Sequence, residues 1–344
     1  MGLFDFFTSD IAIDLGTANT LIIHKDKIVV DEPSIIAMDK VSGKVRAVGR
    51  EAMQMHEKTH ENIKTIRPLK DGVIADFTAA EHMIRGLIKM VDGNSKKWFG
   101  TTSHRMMICI PSGITEVEKR AVKDSAEHAG AKEVYMIYEP IAAAIGLGID
   151  IEQPVGSMIV DIGGGTTEIA IMALSGIVCE QSIRIAGDVF NKDILDYMRR
   201  QHNLLIGERS AERVKIEVGA ALTELANPPD DYEIRGRDLM TGIPKVIKVS
   251  FSEIAFALDK SVSKIEEAVL KALEIAPPEL SADIYDNGIH LTGGGALLRG
   301  LDKRLAMKTK LPIHVAEEPL LAVVRGTGTA VKDVEKYKAV VMTQ

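Results

Sequence analysis

The sequence predicts an α/β protein of two duplicated lobes with a ligand cleft where they meet. Three observations predict it. An Asp-x-Gly hairpin occurs twice, at Asp14 and Asp161. A Glu-Pro-x-x-Ala segment running into a small-residue helix also occurs twice, at Glu139 and Glu318. The chain has 344 residues, enough for two cores. A long-period repeat of strand-rich halves suits a bilobed architecture that takes its ligand between the halves.

The central hairpin runs from Met158 to Met172. An apolar strand exits at Asp161, Gly163, Gly164 and Gly165 make the turn, and Thr166 and Thr167 open the return strand. Consecutive glycines let backbone N–H groups converge on an anion without Cβ clashes. Asp161 accepts hydrogen bonds only, which suits a hydrated divalent cation beside that anion; the hydroxyls of Thr166 and Thr167 add to the same corner. A ligand-free glycine hairpin is the other reading of this stretch alone. The N-terminal copy, Ile11 to Ile23, repeats strand, Asp14-Leu15-Gly16-Thr17-Ala18-Asn19-Thr20, strand.

Residues 42–76 are polar, punctuated by Arg67-Pro68 and Asp71-Gly72, and read as a small insert. Helical patterning follows from Thr78 to Val91, and a buried strand from Met106 to Ile110. Thr115 and Glu118 form a capping box for a helix with Val117, Ala121 and Val122 on one face and Gly130 past its end. A strand from Val134 leads to Glu139-Pro140 and a helix of small residues, which packs close to another helix. Asn191 to Gln201 reads as helix, and Ser210 as the cap of another reaching Ala221. Ser250 and Glu253 box a long helix with Ile254, Leu258, Val262, Ile265, Val269 and Leu273 at helical spacing, stopped by Pro277-Pro278. Asn287 to Ala296 is a further strand and glycine turn.

A composition of 46% hydrophobic and 26% charged residues describes a folded globular chain. A net charge of −7 with no basic domain argues against a nucleic-acid partner. Cys109 and Cys179 lie in apolar runs and read as buried thiols of a reducing compartment. No signal peptide and no membrane-spanning run is evident. One decoy stands in the insert: His56-Glu57-Lys58-Thr59-His60 matches the H-E-x-x-H zinc helix, with Glu81 downstream as a third ligand. Its polar middle argues against a metal helix, which needs apolar packing behind it.

These motifs, in this order and over essentially the whole chain, resemble the actin, Hsp70 and sugar-kinase superfamily, and within it the bacterial actins that govern rod shape. Arg67-Pro68 with Asp71 to Asp76, Ile206 to Arg209, Pro277 to Leu280 and Leu291 to Leu301 carry the closer resemblance. The resemblance implies an actin-like fold of two duplicated ribonuclease-H-like lobes with a nucleotide cleft between them. Lobe I would be 1–150 with an insert at about 34–68, joined by 315–344, and lobe II 151–314 with an insert at about 186–245.

It further implies ATP and Mg²⁺ as ligands. Gly16, Thr17, Ala18 and Asn19 resemble the first phosphate loop and Gly163, Gly164, Gly165 and Thr166 the second. Thr292, Gly293, Gly294 and Gly295 resemble the adenosine turn, and Glu212, Arg213 and Lys215 the helix bordering ribose and base. A solvated helix face is the other reading of that helix. Asp14 and Asp161 would hold Mg²⁺ largely through water. Glu139 is the first candidate to position a hydrolytic water and Thr166 the second; the other reading of Glu139 is a helix cap.

The family forms head-to-tail filaments that pair antiparallel, at the inner face of the cytoplasmic membrane, with membrane-bound cell-wall elongation proteins as partners. The expected function is therefore a slow ATPase whose filaments organise wall synthesis and maintain rod shape. The alternative is a sugar- or acetate-type kinase of the same superfamily, for which no additional acceptor base is evident. Leu3, Phe4, Phe6 and Phe7 on one helical arc, and Trp98 with Phe99 after two lysines, are candidate membrane contacts. Packing onto the subunit is the other reading of both clusters.

Overall fold

The computed structural model describes residues 8–92 and 103–343. The candidate membrane residues Leu3, Phe4, Phe6, Phe7, Trp98 and Phe99 lie outside these. The chain divides into two units, one of Met1–Pro154, Met172–Val178 and Leu320–Gln344, the other of Val155–Ile171 and Cys179–Pro319.

The first unit begins with an antiparallel meander of β1 (Thr8–Leu15), β2 (Asn19–His24) and β3 (Lys27–Pro33). A separate three-stranded sheet follows from β4 (Ile36–Asp39), β5 (Val45–Val48) and, after helix α1 (Arg50–Met55), β6 (Ile63–Ile66). It has its own small core of Ile35, Ala37, Ala47 and Ala52. The two-residue strands β7 (Leu69–Lys70) and β8 (Val73–Ile74) are joined by Asp71 and Gly72 at φ 52° and 80°. Two positive φ values in a two-residue loop suit the tight hairpin whose twist matches its strands.

Helix α2 (Phe77–Asp92), β9 (Ser103–Ile110), α3 (Glu116–His128), β10 (Ala131–Tyr138) and α4 (Glu139–Gly146) then alternate as crossover units. They complete a six-stranded sheet in the order Val341–Thr343, β10, β9, β1, β2, β3, with β1, β9 and β10 parallel. Parallel strands buried on both faces need unbroken apolar runs. Ile11, Ala12 and Ile13 on β1 and Met106, Met107 and Ile108 on β9 are such runs, all buried. Met83, Leu87, Val122 and Ala126 bring α2 and α3 onto the same core as Ile11, Ile13, Met106 and Ile108. The C-terminal helix Ala322–Lys332 packs on α4, β1 and β9.

The second unit carries β11 (Ser157–Ile162), most of β12 (Thr167–Ala173) and of β13 (Gly176–Ile183), α5 (Gly187–His202), β14 (Leu204–Leu205) and α6 (Glu208–Val218). Next come β15 (Tyr232–Asp238), β16 (Pro244–Val249), α7 (Phe251–Glu274), α8 (Pro278–Asn287), β17 (Ile289–Thr292), α9 (Leu301–Thr309) and β18 (Ile313–Val315). Its main sheet runs β13, β12, β11, β17, β18, and β14, β15 and β16 form a smaller one. Met158, Val160, Phe190, Ile194, Ile254, Leu258 and Leu291 share the core.

Both capping boxes form: the Thr115 and Ser250 hydroxyls accept the N–H of Glu118 and Glu253, whose carboxylates return to the cap N–H. Four local expectations are corrected. Val117 is 80% exposed, because the buried face of α3 runs through Lys119, Val122, Ser125 and Ala126. Helix α5 starts a turn before Asn191, at Gly187. Helix α6 starts at Glu208 with Gly207 as its N-cap, so Ser210 lies inside the first turn, and it stops at Val218. The H-E-x-x-H segment is not helical: α1 ends at Met55, His56 is extended and Glu57 has φ 61°. His56 shares a hydrogen bond with the Thr65 hydroxyl and His60 accepts the Asn62 N–H, so the two imidazoles do not share a helical face.

Candidate functional site

In the first unit, the register of β1 and β9 sets Asp14 beside Cys109, and β10 sets Ile137 on the far side of Cys109. Two residues beyond Ile137, Glu139 starts α4. Tyr138 is the N-cap and Glu139 the first helical residue, so its carboxylate stands in the first turn, where a negative charge also suits the helix dipole. Parallel strands end together, and ligands of α/β sheets gather at those carboxyl ends. The Cys109 Sγ–H donates to Asp14 Oδ1 over 3.2 Å. Burial first, then the nearby Asp14 and Glu139 charges, pushes the Cys109 thiol well up, so it stays a protonated donor. Loss of solvation pushes the Asp14 carboxyl up to about 6 from 3.8, with the Cys109 hydrogen bond pulling the other way.

The first glycine turn follows. A Cβ on Gly16 would lie 2.6 Å from the Asn19 carbonyl oxygen, so only glycine fits. Ser34 holds the turn by donating its hydroxyl to Gly16 O (2.6 Å) and its N–H to Ala18 O (2.9 Å). Buried Thr17 accepts the Gly72 N–H at 3.0 Å, which ties the tip of the β7–β8 hairpin to this turn. Accepting that bond leaves the Thr17 O–H to donate elsewhere. Asn19 is exposed.

In the second unit, β11 and β17 pair in parallel and place Asp161 opposite Thr292. The fully buried Thr292 hydroxyl donates to Asp161 Oδ1 over 2.8 Å. The second glycine turn closes by Gly163 N–H to Thr166 O, 2.9 Å. The Gly163 and Gly164 carbonyls accept the N–H groups of Gly187 (3.1 Å) and Asp188 (2.8 Å), so the start of α5 is spent on the turn. Thr166 is buried in the turn; the Thr167 hydroxyl instead donates to Ile185 O at 2.6 Å and does not join the corner.

The third glycine turn lies against the exit of β11. A Cβ on Gly293, at φ 77°, would meet Ile162 O at 2.4 Å and Asp161 Oδ1 at 2.8 Å. One on Gly295 would meet Ile162 Cγ2 at 2.2 Å. On α6, Lys215 Nζ donates to Glu212 Oε2 (2.8 Å) and to Gly187 O (3.2 Å). Glu212 and Lys215 are tied to α5, while the Glu212 side chain is 45% exposed and Arg213 is exposed.

Both aspartates are hard oxygen donors, and each has Oδ1 engaged by a neighbouring donor while Oδ2 takes no part in that bond. Among the described residues no three His, Cys, Asp or Glu side chains form a metal cage. The sequence marks Cys109 only as a core thiol and Asn191 only as a helix start, since neither carries a local signal of its contact with Asp14 or Glu212. Gly72 it marks as punctuation and as part of the 71–76 segment that carries the family resemblance, not as a partner of Thr17.

The chain is similar to known proteins over almost its whole length. Residues 8–339 match the family model described as MreB/Mbl protein. The chain is 50% identical over 331 residues to the cell shape-determining protein Mbl of Bacillus subtilis (strain 168), covering 96% of this chain and 98% of that one. It is 48% identical over 336 residues to the cell shape-determining protein MreB of Escherichia coli (strain K12), covering 96% and 95%. Crystal structures of MreB5 of Spiroplasma citri bound to AMPPNP and to ADP superpose with a TM-score of 0.89 at 38% identity, covering 96% of this chain and 97% and 98% of theirs. The fold is actin-like, and the chain belongs to the MreB/Mbl family.

Proposed function

We propose that the chain binds ATP with Mg²⁺, hydrolyses it slowly, and polymerises into filaments that organise cell-wall synthesis and maintain rod shape. One observation carries the nucleotide reading. Each unit sets an aspartate at the last-but-one position of a parallel strand, with one carboxylate oxygen engaged by a buried donor and a turn beside it that excludes a Cβ. The AMPPNP- and ADP-bound states of the Spiroplasma relative support an adenine nucleotide.

In this reading the turns at Gly16–Asn19 and Gly163–Thr166 bind phosphates through backbone N–H groups and the Thr17 hydroxyl. Asp14 and Asp161 hold Mg²⁺ through its waters, and Mg²⁺ supplies charge neutralisation on the phosphate oxygens. Thr292 to Gly295 receive the adenosine, with Glu212, Arg213 and Lys215 at its border. Glu139 and Thr166 position the attacking water, which a loose transition state needs oriented more than activated. Subunits stack head to tail and protofilaments pair antiparallel, since heterologous contacts that do not close make polymers. The filaments lie at the inner face of the cytoplasmic membrane, held by Leu3, Phe4, Phe6, Phe7, Trp98 and Phe99, beside membrane-bound elongation proteins.

Calorimetric titration of Asp161→Ala tests the nucleotide site. Mg²⁺-dependent ATP affinity should collapse with the fold intact, and wild-type binding in that variant sinks the assignment. Glu139→Ala should slow phosphate release at least about tenfold, or about 1.4 kcal/mol of barrier, with ATP still bound; a wild-type rate removes Glu139 from turnover. Liposome co-sedimentation tests the membrane contact, comparing wild type with a variant lacking residues 1–8 and carrying Trp98→Ser and Phe99→Ser. Normal polymerisation with undiminished lipid binding would refute the anchor.

A further inference from the structure

Glu212 is clamped from two sides at one oxygen. Asn191 Nδ2, from α5, donates to Oε2 over 2.6 Å, and Lys215 Nζ donates to the same Oε2 over 2.8 Å. Oε1 takes no part in either bond, and the side chain is 45% exposed. A carboxylate held by two donors at one oxygen and partly exposed is an acceptor fixed in place, with its other oxygen suited to a hydroxyl donor.

Asn191 itself is the less expected partner. It is 8% exposed, and its Oδ1 is buried with no hydrogen-bond partner among the described residues. Buried amides in a stable core satisfy both ends, so an orphaned carbonyl calls for a reason. Turning the amide over would set Oδ1 against the Glu212 carboxylate, oxygen facing oxygen. The arrangement therefore sacrifices the amide oxygen to keep the NH₂ on Glu212. Lys215 closes the circuit: it also reaches Gly187 O, and the Gly187 N–H is bonded to Gly163 in the second glycine turn.

We propose that Asn191 is a positioning residue that aims Glu212 at the ribose hydroxyls of a bound nucleotide, and so sets selectivity for ribose over deoxyribose. This rests on the nucleotide reading above. Its reach is narrower, because ATP could bind here without Asn191 having any such role. The clamp acts on the sugar alone; the phosphate contacts lie elsewhere in the site.

The test is calorimetric titration of the full chain with Mg²⁺ and ATP, 2′-deoxy-ATP or 3′-deoxy-ATP. Wild type should prefer ATP over at least one deoxy form by about tenfold, the scale of one charge-assisted hydrogen bond, and Asn191→Ala should narrow that gap to within about twofold. Asn191→Asp keeps the volume and removes the donor, so it gives the same readout should the alanine variant fail to fold. In a Glu212→Ala background, Asn191→Ala should change the ratio no further, which a merely structural asparagine would not predict. An undiminished preference in Asn191→Ala or Asn191→Asp overturns the proposal, as does an equal loss with and without Glu212. Equal wild-type affinity for all three nucleotides overturns the sugar contact while leaving ATP binding intact. No wild-type binding of any of them overturns the nucleotide reading itself, and the proposal with it.

Discussion

Replacing Gly326 with alanine sets two physical effects against each other inside the C-terminal helix. Alanine is favoured over glycine within a helix by about 1 kcal/mol, so propensity alone predicts a more stable protein. The structure predicts the opposite. A Cβ on Gly326 would lie 1.7 Å from Ala142 O, 2.6 Å from Ala142 C and 2.9 Å from Gly146 N, all backbone atoms of α4. Gly146 is the reciprocal case, its Cβ 1.9 Å from Ala322 O. Ordinary contact needs about 3.5 Å, so the two helices would have to part along a shared face that includes the fully buried Ala142, Ala143 and Val324. Overpacking of this kind costs about 3 kcal/mol, which leaves a net loss of about 2 kcal/mol. In a unit of this size that lowers the melting temperature by roughly 4–8 °C.

Gly328, in the same helix, is the internal control. Its added Cβ would meet only the Ile23 side chain, at 3.3 and 3.4 Å, which can yield. Gly328→Ala should therefore be neutral or slightly stabilising. Thermal unfolding of the nucleotide-free protein, followed by circular dichroism, separates the cases. If Gly326→Ala melts at or above wild type, or the two variants melt alike, the close-packing argument is wrong.

Further outcomes follow from the site. Thr292→Val keeps the shape but removes the donor to Asp161 Oδ1, and should weaken Mg²⁺-dependent ATP affinity by about tenfold or more, measured by titration. Cys109→Val should loosen Asp14 and reduce that affinity while Cys109→Ser, which retains a donor, restores most of it. Asp14 gives a pH signature. Its folded carboxyl, raised from 3.8 to about 6, favours the protonated form, so its contribution to stability is fully present below about 4 and is lost as pH rises through about 6. Nucleotide-free protein melted across pH 4–7 should show that decline, worth at most about 3 kcal/mol, and Asp14→Asn should flatten it.

The sequence by itself determined the fold class, through motifs repeated in order along the chain, and beyond that what is local. An apolar run ending in aspartate and glycine makes a strand and a turn, because burial and Cβ sterics act within a few residues. The capping boxes at Thr115 and Ser250 were legible for the same reason, since donor and acceptor sit three positions apart. The start of α6 at Glu208 was not, because a glycine N-cap carries no side chain to announce it. Nor was the break at His56, since a glutamate at φ 61° contradicts its own preference. The bonds that shape the candidate site span far greater distances along the chain. Thr17 meets Gly72 across 55 positions, Asp14 meets Cys109 across 95, and Asp161 meets Thr292 across 131. Two of these depend on which parallel strands become neighbours and in what register, and the third on a hairpin tip docking onto a turn. Tertiary structure alone settled them, because a slip of one residue in a parallel pair would turn the same side chains to the opposite face of the sheet.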